Sequence, residues 1–431
     1  MSAAAAKLKS ASRAEQHLRK RYARERRFRL LGLISVSAGL VFLAVFFASI
    51  IGRGYTAFAQ TFVQLEVEFT PEIVDPLGTA NNDSYSEGDY QRIMRNALNE
   101  LFPDVTSRAA RRELGKMLSI GGSYELQDMV MADNSLVGTS MTLWVPAHTN
   151  VDMLAKGNID PESEARDRPV SDQYIDWYQR LDEMGRLEKR FNTTLFSSGD
   201  SREPELAGIL GALTGSFYML LVTLLLSFPI GVAAAVYLEE FAPRNRWTDL
   251  IEVNINNLAA VPSIVFGLLG LAIFIDWFSL PRSAPLVGGL VLTLLTLPVV
   301  IIAARASIKS VPPSIREAAL GLGASKMQTV FQHVVPLALP GIMTGTIIGM
   351  ARALGESAPL LMIGMVAFIV DIPEGPLDPA TALPVQIYIW ADSPERAFTE
   401  KTSAAIIVLL AFLLLMNLTA VLLRRRFERK W

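Results

Sequence analysis

The sequence predicts an all-α membrane protein with six transmembrane helices and a large α+β extracytoplasmic insertion between the first two helices. Composition supports this class: 51% of the 431 residues are hydrophobic, only 19% are charged and mean hydropathy is +0.32. A typical soluble domain has roughly 25% charged residues. Six apolar stretches are long enough to cross a bilayer, and the polar residues 53–206 separate the first stretch from the others. Cysteine is absent, which excludes disulfides and cysteine zinc sites.

The first domain is a basic tail, residues 1–29, followed by a first transmembrane helix, residues 30–52. The apolar run from Leu30 to Ile51 can span a hydrocarbon core of roughly 30 Å. The basic tail favours a cytoplasmic amino terminus by the positive-inside rule, although such a run can also bind nucleic acid. A signal peptide is the rival interpretation, but the apolar run is longer than the usual 7–15 residues, so an uncleaved anchor is favoured.

Residues 53–206 have the composition of a separate extracytoplasmic domain. Turn-rich segments alternate with amphipathic ones, and a segment of this length suffices for an independent α+β fold. The domain has one histidine, His148, which we interpret as structural. The residues indicate no metal site, no catalytic group and no function for this domain. Two strands and two helices are predicted, at Gln64–Phe69, Met141–Val145, Asp89–Phe102 (capped by Asp89) and Ser171–Phe191.

Residues 207–425 return to the membrane, and residues 426–431 form a cytoplasmic tail. Prolines interrupt several apolar runs, which packed helices of transporters tolerate. Alternation across the membrane places both termini inside, with residues 53–206 outside and the loop 305–340 inside. The five further spans are predicted at 208–236, 255–276, 285–304, 341–368 and 404–423.

The loop 305–340 has the most informative pattern. Its prolines at 312 and 313 end the preceding helix, and Ser314 can then cap a short helix. Gly321 and Gly323 permit a tight turn, after which a second helix is predicted to end near Pro336. Small residues let such a surface seat closely in a cleft of another protein. The alternative interpretation is a solvated connector.

This loop resembles the EAA loop of ABC importer permeases, EAA-x3-G-x9-I-x-L-P. The sequence departs from that pattern at two positions, where it has His333 and Val335. In that family the loop is the coupling helix that docks into an ATP-hydrolysing subunit, so the resemblance implies a coupling role. The residues that would carry this role are Glu317, Ala318, Ala319, Gly321, Gly323, Ala324 and Pro336.

Three further segments are YLEEFAP at 237–243, NLAAVPSIVFGLLG at 257–270 and ARALGESAPLL at 351–361. They narrow the resemblance to the phosphate permease (PstA) family of type I ABC importers. It covers roughly 208–425, and the long insertion departs from the compact form of the family. The resemblance implies that this chain is a non-catalytic subunit of the inner membrane. Its partners would be a second permease (PstC type), an ATPase dimer (PstB type), a periplasmic phosphate-binding protein (PstS type) and the lipid bilayer. No nucleic acid is expected.

No ATP-binding site is expected in this chain, because the sequence contains no GxxxxGK[ST] motif. No cofactor is therefore predicted here, and ATP and Mg would be bound by the partner ATPase.

Arg352 and Glu356 are ionisable groups in an apolar stretch. Spaced four residues apart, they are predicted to share one helix face and to pair toward the bundle interior or a water-filled path. The planar guanidinium suits bidentate binding of phosphate. A static ion pair that holds helices together is the alternative. Asn257 and Ser263 could line the same path or join helices by hydrogen bonds.

The predicted function is the transmembrane permease of an ATP-driven phosphate importer that works by alternating access. A permease for another oxyanion, molybdate or sulfate, remains an alternative. A membrane-anchored sensor is a third, but the predicted cytoplasmic segments are too short for an output domain.

Overall fold

The computed structural model describes residues 2–427 apart from 165, 167 and 367, with side chains from residue 21 onward. The chain divides into two compact units, residues 1–53 and 54–431. The first unit is one continuous helix, α1 (Ser2–Gly54), so the basic tail and the predicted first span form a single element. From residue 21 onward most apolar side chains of α1 are exposed, as in Phe42 at 73%, whereas Ile50 is buried. Exposure of this kind is expected of a helix whose surroundings are lipid or another subunit.

The second unit begins with an α+β domain. Three antiparallel strands, β1 (Ala59–Glu68), β2 (Ser140–Pro146) and β3 (Leu187–Phe191), form a sheet in the order β2-β1-β3. Val63 in the central strand pairs with Val145 on one side and Leu187 on the other. The α-helices are α2 (Pro71–Val74), α3 (Asn82–Ser86), α4 (Tyr90–Leu101), α5 (Arg108–Leu114), α6 (Gly121–Ala132), α7 (Thr149–Ala155), α8 (Asp172–Glu183) and α9 (Thr194–Ser197). Short 3-10 turns lie at Tyr55–Phe58, Gly115–Met117, Asn134–Leu136 and Pro204–Leu206.

Local signals explain the elements that were predicted well. The Asp89 carboxylate accepts a hydrogen bond from the Arg92 amide at 2.9 Å and so caps α4, as predicted. The apolar stripe of α4 is buried against β1. Both predicted strands are present, with slightly different ends.

The prediction of one helix over Ser171–Phe191 is wrong. Ser171 caps α8 as a helix start, but the helix ends at Glu183, and residues 187–191 form β3. The free edge of β1 pairs with residues 187–191. These long-range hydrogen bonds override the helical periodicity of the local sequence, since backbone groups must be paired somewhere.

The membrane part contains long apolar helices extended by π-helical segments. Among the residues that the structure describes, five helices, one of them α1, are long and apolar enough to cross a membrane, or six if one bent pair counts as a span. The α-helices are α10 (Leu210–Val236), α11 (Arg246–Ala259), α12 (Ser263–Gly270), α13 (Pro285–Lys309), α14 (Pro313–Gly321), α15 (Lys326–Gln328), α16 (Val335–Gly355), α17 (Ala358–Met362), α18 (Leu383–Ala391) and α19 (Ala397–Phe427). The π-helical segments are Tyr237–Phe241, Leu271–Trp277 and Thr329–Val334.

The predicted span 255–276 is broken at Pro262, one of the prolines expected to interrupt the apolar runs. The chain breaks between Ala259 and Ser263, and the two arms, α11 and α12 with its π-helical extension, meet at 101°. Pro262 lies at the break, where its ring excludes a continuous helix. The proline indicated the interruption, but hydropathy reports apolar length and not direction, so the angle between the two arms could not be predicted.

The other corrections concern both ends of α16. A helical path runs from Lys326 to Gly355 without ending near Pro336, because the π-helical segment 329–334 leads directly into α16. A proline in the first turn of α16 needs no amide donor. The predicted span 341–368 is also too long, since α16 ends at Gly355 and α17 is a separate short helix. Helix α18, within the predicted extracytoplasmic loop 371–401, was not predicted.

Buried polar contacts join the α+β domain to the membrane helices. Lys156 pairs with Asp152 at 2.6 Å and with Glu400 of α19 at 2.9 Å, and Asn158 donates to the other Glu400 oxygen at 2.7 Å. The Lys401 ammonium donates to the Ala207 carbonyl at 2.6 Å. The domain is therefore fixed to the start of α19 by several charged contacts. We call Asp152, Lys156, Asn158 and Glu400 the junction cluster.

Candidate functional site

The segment between α13 and α16 carries the residues predicted to dock a partner. Helix α14 begins at Pro313 with Pro312 as its cap, so the prediction of Ser314 as the cap is wrong. Proline suits the first helical position because its missing amide has no partner there anyway. Glu317 and Ala318 are exposed, whereas Ala319 is buried.

A tight turn follows α14. Gly321 is the last residue of that helix, and Gly323 has φ +87°, a left-handed conformation that residues with a Cβ adopt only at a cost. Ala324 is half-buried beside the turn. Ser325 then starts α15 with a reciprocal capping box formed with Gln328. The turn predicted from the two glycines is thus present, and Gly323 supplies the left-handed residue. Pro336 lies in the first turn of α16.

Four apolar side chains project from this segment. Leu320, Leu322, Met327 and Phe331 are between 50% and 90% exposed, and Leu322 is the most exposed of them. We call these four residues the docking face. The Glu317 side chain, on the same helix as Leu320, is exposed as well. Clustered exposed apolar side chains are typical of a protein-interaction surface.

Arg316 fixes α14 to the membrane helices. Its Nε and Nη2 atoms donate to Glu240 Oε1 at 3.1 and 2.7 Å, and Glu240 lies in the π-helical segment after α10. Its remaining donors reach the carbonyls of Val311 at 2.6 Å and Ile308 at 3.0 Å. The side chain of Glu240 is only 10% exposed. A displacement of α14 would therefore act directly on the ends of α10 and α13.

A second arginine joins three helices nearby. Arg305 of α13 pairs with Glu239 at 2.7 Å and with Glu252 of α11 at 2.8 Å. Neither ion pair was predicted from the sequence, in which Glu239 and Glu240 belong to the YLEEFAP segment. The available signal was two adjacent carboxylates directly after one apolar span, with Arg305 directly after the next and Arg316 in the loop that follows.

Arg352 and Glu356 are brought together, although not on one continuous helix. The Arg352 Nε atom donates to Glu356 Oε1 at 3.4 Å. Glu356 follows the last residue of α16 and has ψ 111°, so it lies outside the helix. The side chains are 48% and 22% exposed, respectively, while the adjacent Ala353 and Leu354 are buried. Arg352 is thus on the exposed side of α16, where its contact with Glu356 is long.

Asn257 and Ser263 lie on opposite sides of the bend between α11 and α12. Asn257 is exposed near the end of α11, and Ser263 is half-buried at the start of α12. Helix α12 packs closely on α17, where an ideal Cβ on Gly267 would lie 2.7 Å from Pro359. The start of α12 is therefore near the segment that follows Glu356. Within the described residues, neither Asn257 nor Ser263 makes a hydrogen bond to Arg352 or Glu356.

One group of side chains outside the membrane part has the composition of a metal site. His148, Glu203 and Glu205 place ligand-capable atoms within 4.8 Å of one another. The His148 Nδ1 atom, however, accepts a hydrogen bond from the Asn150 amide at 3.2 Å and caps α7. In a neutral ring the proton is then on Nε2. The group therefore offers an N–H donor beside two carboxylates rather than three free metal ligands.

Comparison with known proteins identifies the family. Residues 227–431 match the family model described as a binding-protein-dependent transport system inner membrane component. The chain is 34% identical over 219 residues to the phosphate transport system permease protein PstA 1 of Mycobacterium tuberculosis, covering 50% of this chain and 70% of that protein. It is 30% identical to PstA of Haemophilus influenzae, covering 52% of this chain and 78% of that protein. The chain belongs to the PstA family of phosphate transport system permeases. It is a permease subunit and not an enzyme, with the helical, multi-span membrane part of that family.

Three other comparisons give a shorter match, a lower identity or a family without an assigned function. The probable ABC transporter permease protein YqgI of Bacillus subtilis is 41% identical over 155 residues, and the match spans 36% of this chain and about half (52%) of YqgI. A chain of the MetNI methionine ABC transporter is 19% identical, with a TM-score of 0.41 over 50% of this chain and 95% of that chain. Residues 15–165 match a family described as a domain of unknown function, DUF3333.

Proposed function

We propose that this chain is the transmembrane permease of an ATP-driven importer of inorganic phosphate. The observation that carries the proposal is the docking face on a segment fixed by Arg316 to two membrane helices. Such a segment can transmit the movement of an attached motor into the membrane. Membership of the PstA family supports phosphate as the substrate. Molybdate or sulfate is the alternative that the transport experiment must exclude.

The partners of this chain would be a second permease of PstC type, a dimeric ATPase of PstB type and a periplasmic phosphate-binding protein of PstS type. ATP and Mg would bind the ATPase, and this chain would need no cofactor. The sequence has no GxxxxGK[ST] motif, which supports a motor supplied by another chain. The docking face, Glu317 and the turn at Gly323 would seat in a cleft of that ATPase.

The proposed topology has six spans in the inner membrane, with both termini in the cytoplasm. The bent pair α11–α12 would serve as one of these spans. The proposed domains are the tail 1–29, the span 30–52, the extracytoplasmic domain 53–206, the permease domain 207–425 with its coupling loop 305–340, and the tail 426–431. Basic residues at both ends of the sequence support the orientation.

The proposed mechanism is alternating access. Closure of the ATPase would pull α14, and the Arg316–Glu240 and Arg305–Glu239 pairs would carry that pull to α10 and α13. The path would pass Arg352, whose long contact with Glu356 can be exchanged for contacts with an anion. A broken helix is a common feature near substrate paths in transporters, since its backbone ends are then available to the substrate. Asn257 and Ser263, at such a break, would line the same path.

The test is uptake of radiolabelled phosphate by cells or proteoliposomes that contain the assembled complex. We expect Arg352→Ala to abolish phosphate uptake while the complex still assembles, because the path then loses its exposed cation. Arg352→Lys should retain a small part of the activity, since a point charge replaces the bidentate fork. Normal uptake by assembled Arg352→Ala would contradict the role of this residue. Equal uptake of sulfate or molybdate by the unaltered complex would contradict phosphate as the specific substrate.

A further inference from the structure

A cavity of about 380 Å³ lies in the α+β domain. Its lining comes from α4, from residues 112–120, from His148 and from the chain just before α10. Gly121, at the start of α6, permits that last contribution, because an ideal Cβ there would lie 2.3 Å from the Leu206 side chain. The close approach at Gly121 brings Glu203 and Glu205 to the cavity wall.

Three cationic side chains line the cavity. Arg112 is exposed and has no hydrogen bond or ion pair with any residue that the structure describes. Lys116 pairs with Glu113 at 2.7 Å, and Arg95 lies 3.8 Å from Asp89. Both pairs are exposed, and exposed ion pairs contribute only about 0–1 kcal/mol. An anion in the cavity could therefore bind all three cations, because breaking the two exposed ion pairs costs little free energy.

Glu205 presents the opposite chemistry. Glu205 is only 5% exposed, and the Thr149 hydroxyl donates a hydrogen bond to the Glu205 Oε2 atom. Among the described residues, no cation lies within ion-pair distance of this carboxylate. A carboxylate only accepts hydrogen bonds, so a ligand that contacts Glu205 must supply a donor. The cavity therefore suits a ligand with several anionic oxygens and at least one hydroxyl.

We propose that this cavity binds a protonated tetrahedral oxyanion, inorganic phosphate, through Arg95, Arg112 and Lys116, with Glu205 accepting the ligand's hydroxyl. The choice of phosphate rests on the proposed function of the chain. Two carboxylates face the three cations, so the cavity favours a small anion of low charge over a polyanion. Sulfate has no proton at neutral pH and would leave Glu205 facing an unprotonated oxygen. A site that hydrogen-bonds a ligand hydroxyl strongly rejects the analogue that lacks it.

Equilibrium dialysis of the purified full chain in detergent against radiolabelled phosphate tests this site. We expect saturable binding of phosphate at pH 7.5, at least tenfold weaker binding after Arg112→Gln, and binding of sulfate at least tenfold weaker than that of phosphate. Glu205→Gln should reduce the difference in affinity between phosphate and sulfate, because the side-chain amide of glutamine can donate a hydrogen bond to sulfate. Thermal unfolding of each variant shows whether it is folded.

Arg108→Gln is the matched control, since Arg108 is exposed on the same helix as Arg112 but does not line the cavity. It should bind phosphate within twofold of the unaltered chain. Equal binding of sulfate, or unchanged binding by Arg112→Gln, overturns the proposal. Arg352→Ala distinguishes the cavity from the membrane path. If Arg352→Ala loses phosphate binding and Arg112→Gln keeps it, the bound anion lies in the membrane path, and only the proposal for the cavity is refuted. Normal cavity binding with no phosphate uptake by the whole complex refutes only the transport function.

Discussion

Arg316 is the residue whose removal should most disturb the cytoplasmic side of the membrane part. Arg316→Ala leaves the 10% exposed Glu240 carboxylate without its cation and removes donors from two carbonyls. Breaking a buried ion pair costs about 3–5 kcal/mol, and the 23% exposure of Arg316 favours the lower end. We expect phosphate uptake to fall at least tenfold, with less ATPase subunit retained when the complex is purified.

The reversed pair Arg316→Glu with Glu240→Arg tests whether charge complementarity is the cause. It should recover part of the activity that each single reversal loses. Arg244→Ala is the matched control, because Arg244 is exposed and has no ion pair with the described residues. If Arg316→Ala transports phosphate normally and retains its ATPase, α14 does not act through this contact.

Single residues show which contacts a sequence can predict. The contact between Arg352 and Glu356 follows from their spacing of four, and it survives even though the helix ends between them. Arg316 and Glu240 are 76 residues apart, and no local pattern indicates that they meet. Their contact depends on how α10, α13 and α14 pack, which is a property of the folded chain.

At the scale of elements, the turn between α14 and α15 depends on Gly323. Its φ of +87° strains any residue with a Cβ, at a cost of about 1–2 kcal/mol. We expect Gly323→Leu to distort the turn, displace the docking face and uncouple or release the ATPase. Copurification of the ATPase and its stimulation by the phosphate-loaded binding protein measure both outcomes.

Gly78→Leu provides the control for backbone strain alone. Gly78 has φ +66° with no atom within 4 Å of an ideal Cβ, and it lies in the α+β domain. It should lower stability by a similar amount and leave ATPase binding intact. An ATPase that stays fully bound and stimulated in Gly323→Leu would contradict the docking role of this turn.

Hydropathy located the apolar elements but not their internal geometry. The spans near 208–236, 285–304 and 404–423 correspond to α10, α13 and α19, because a long apolar run needs only to be helical to satisfy its backbone in lipid. The 101° angle at residues 260–262, the three π-helical segments and the end of α16 at Gly355 cannot be read from apolar length alone. The proline at 262 was visible in the sequence, but the direction of the second arm was not.

For the whole molecule, the sequence predicts that residues 53–206 form a region separate from the membrane part, but it does not predict how the two are attached. Composition alone divides residues 53–206 from the membrane part, since the two regions differ in charge. The junction cluster joins Lys156 to Glu400, which are 244 residues apart. Such a contact cannot be inferred from periodicity. Because this cluster is buried, the α+β domain is expected to move with the start of α19 rather than as a free appendage.

Glu400→Ala tests that attachment. The change leaves Lys156, whose side chain is 6% exposed, with Asp152 alone and leaves the Asn158 amide without its acceptor. A buried charge that loses a partner destabilises by about 3 kcal/mol or more. We expect a lower unfolding temperature in detergent and faster hydrogen exchange in residues 149–158. Glu188→Ala, which removes an exposed pair with Arg190, should cost at most about 1 kcal/mol. If Glu400→Ala has the same unfolding temperature and the same hydrogen-exchange rates as Glu188→Ala, the junction cluster does not fix the domain to α19.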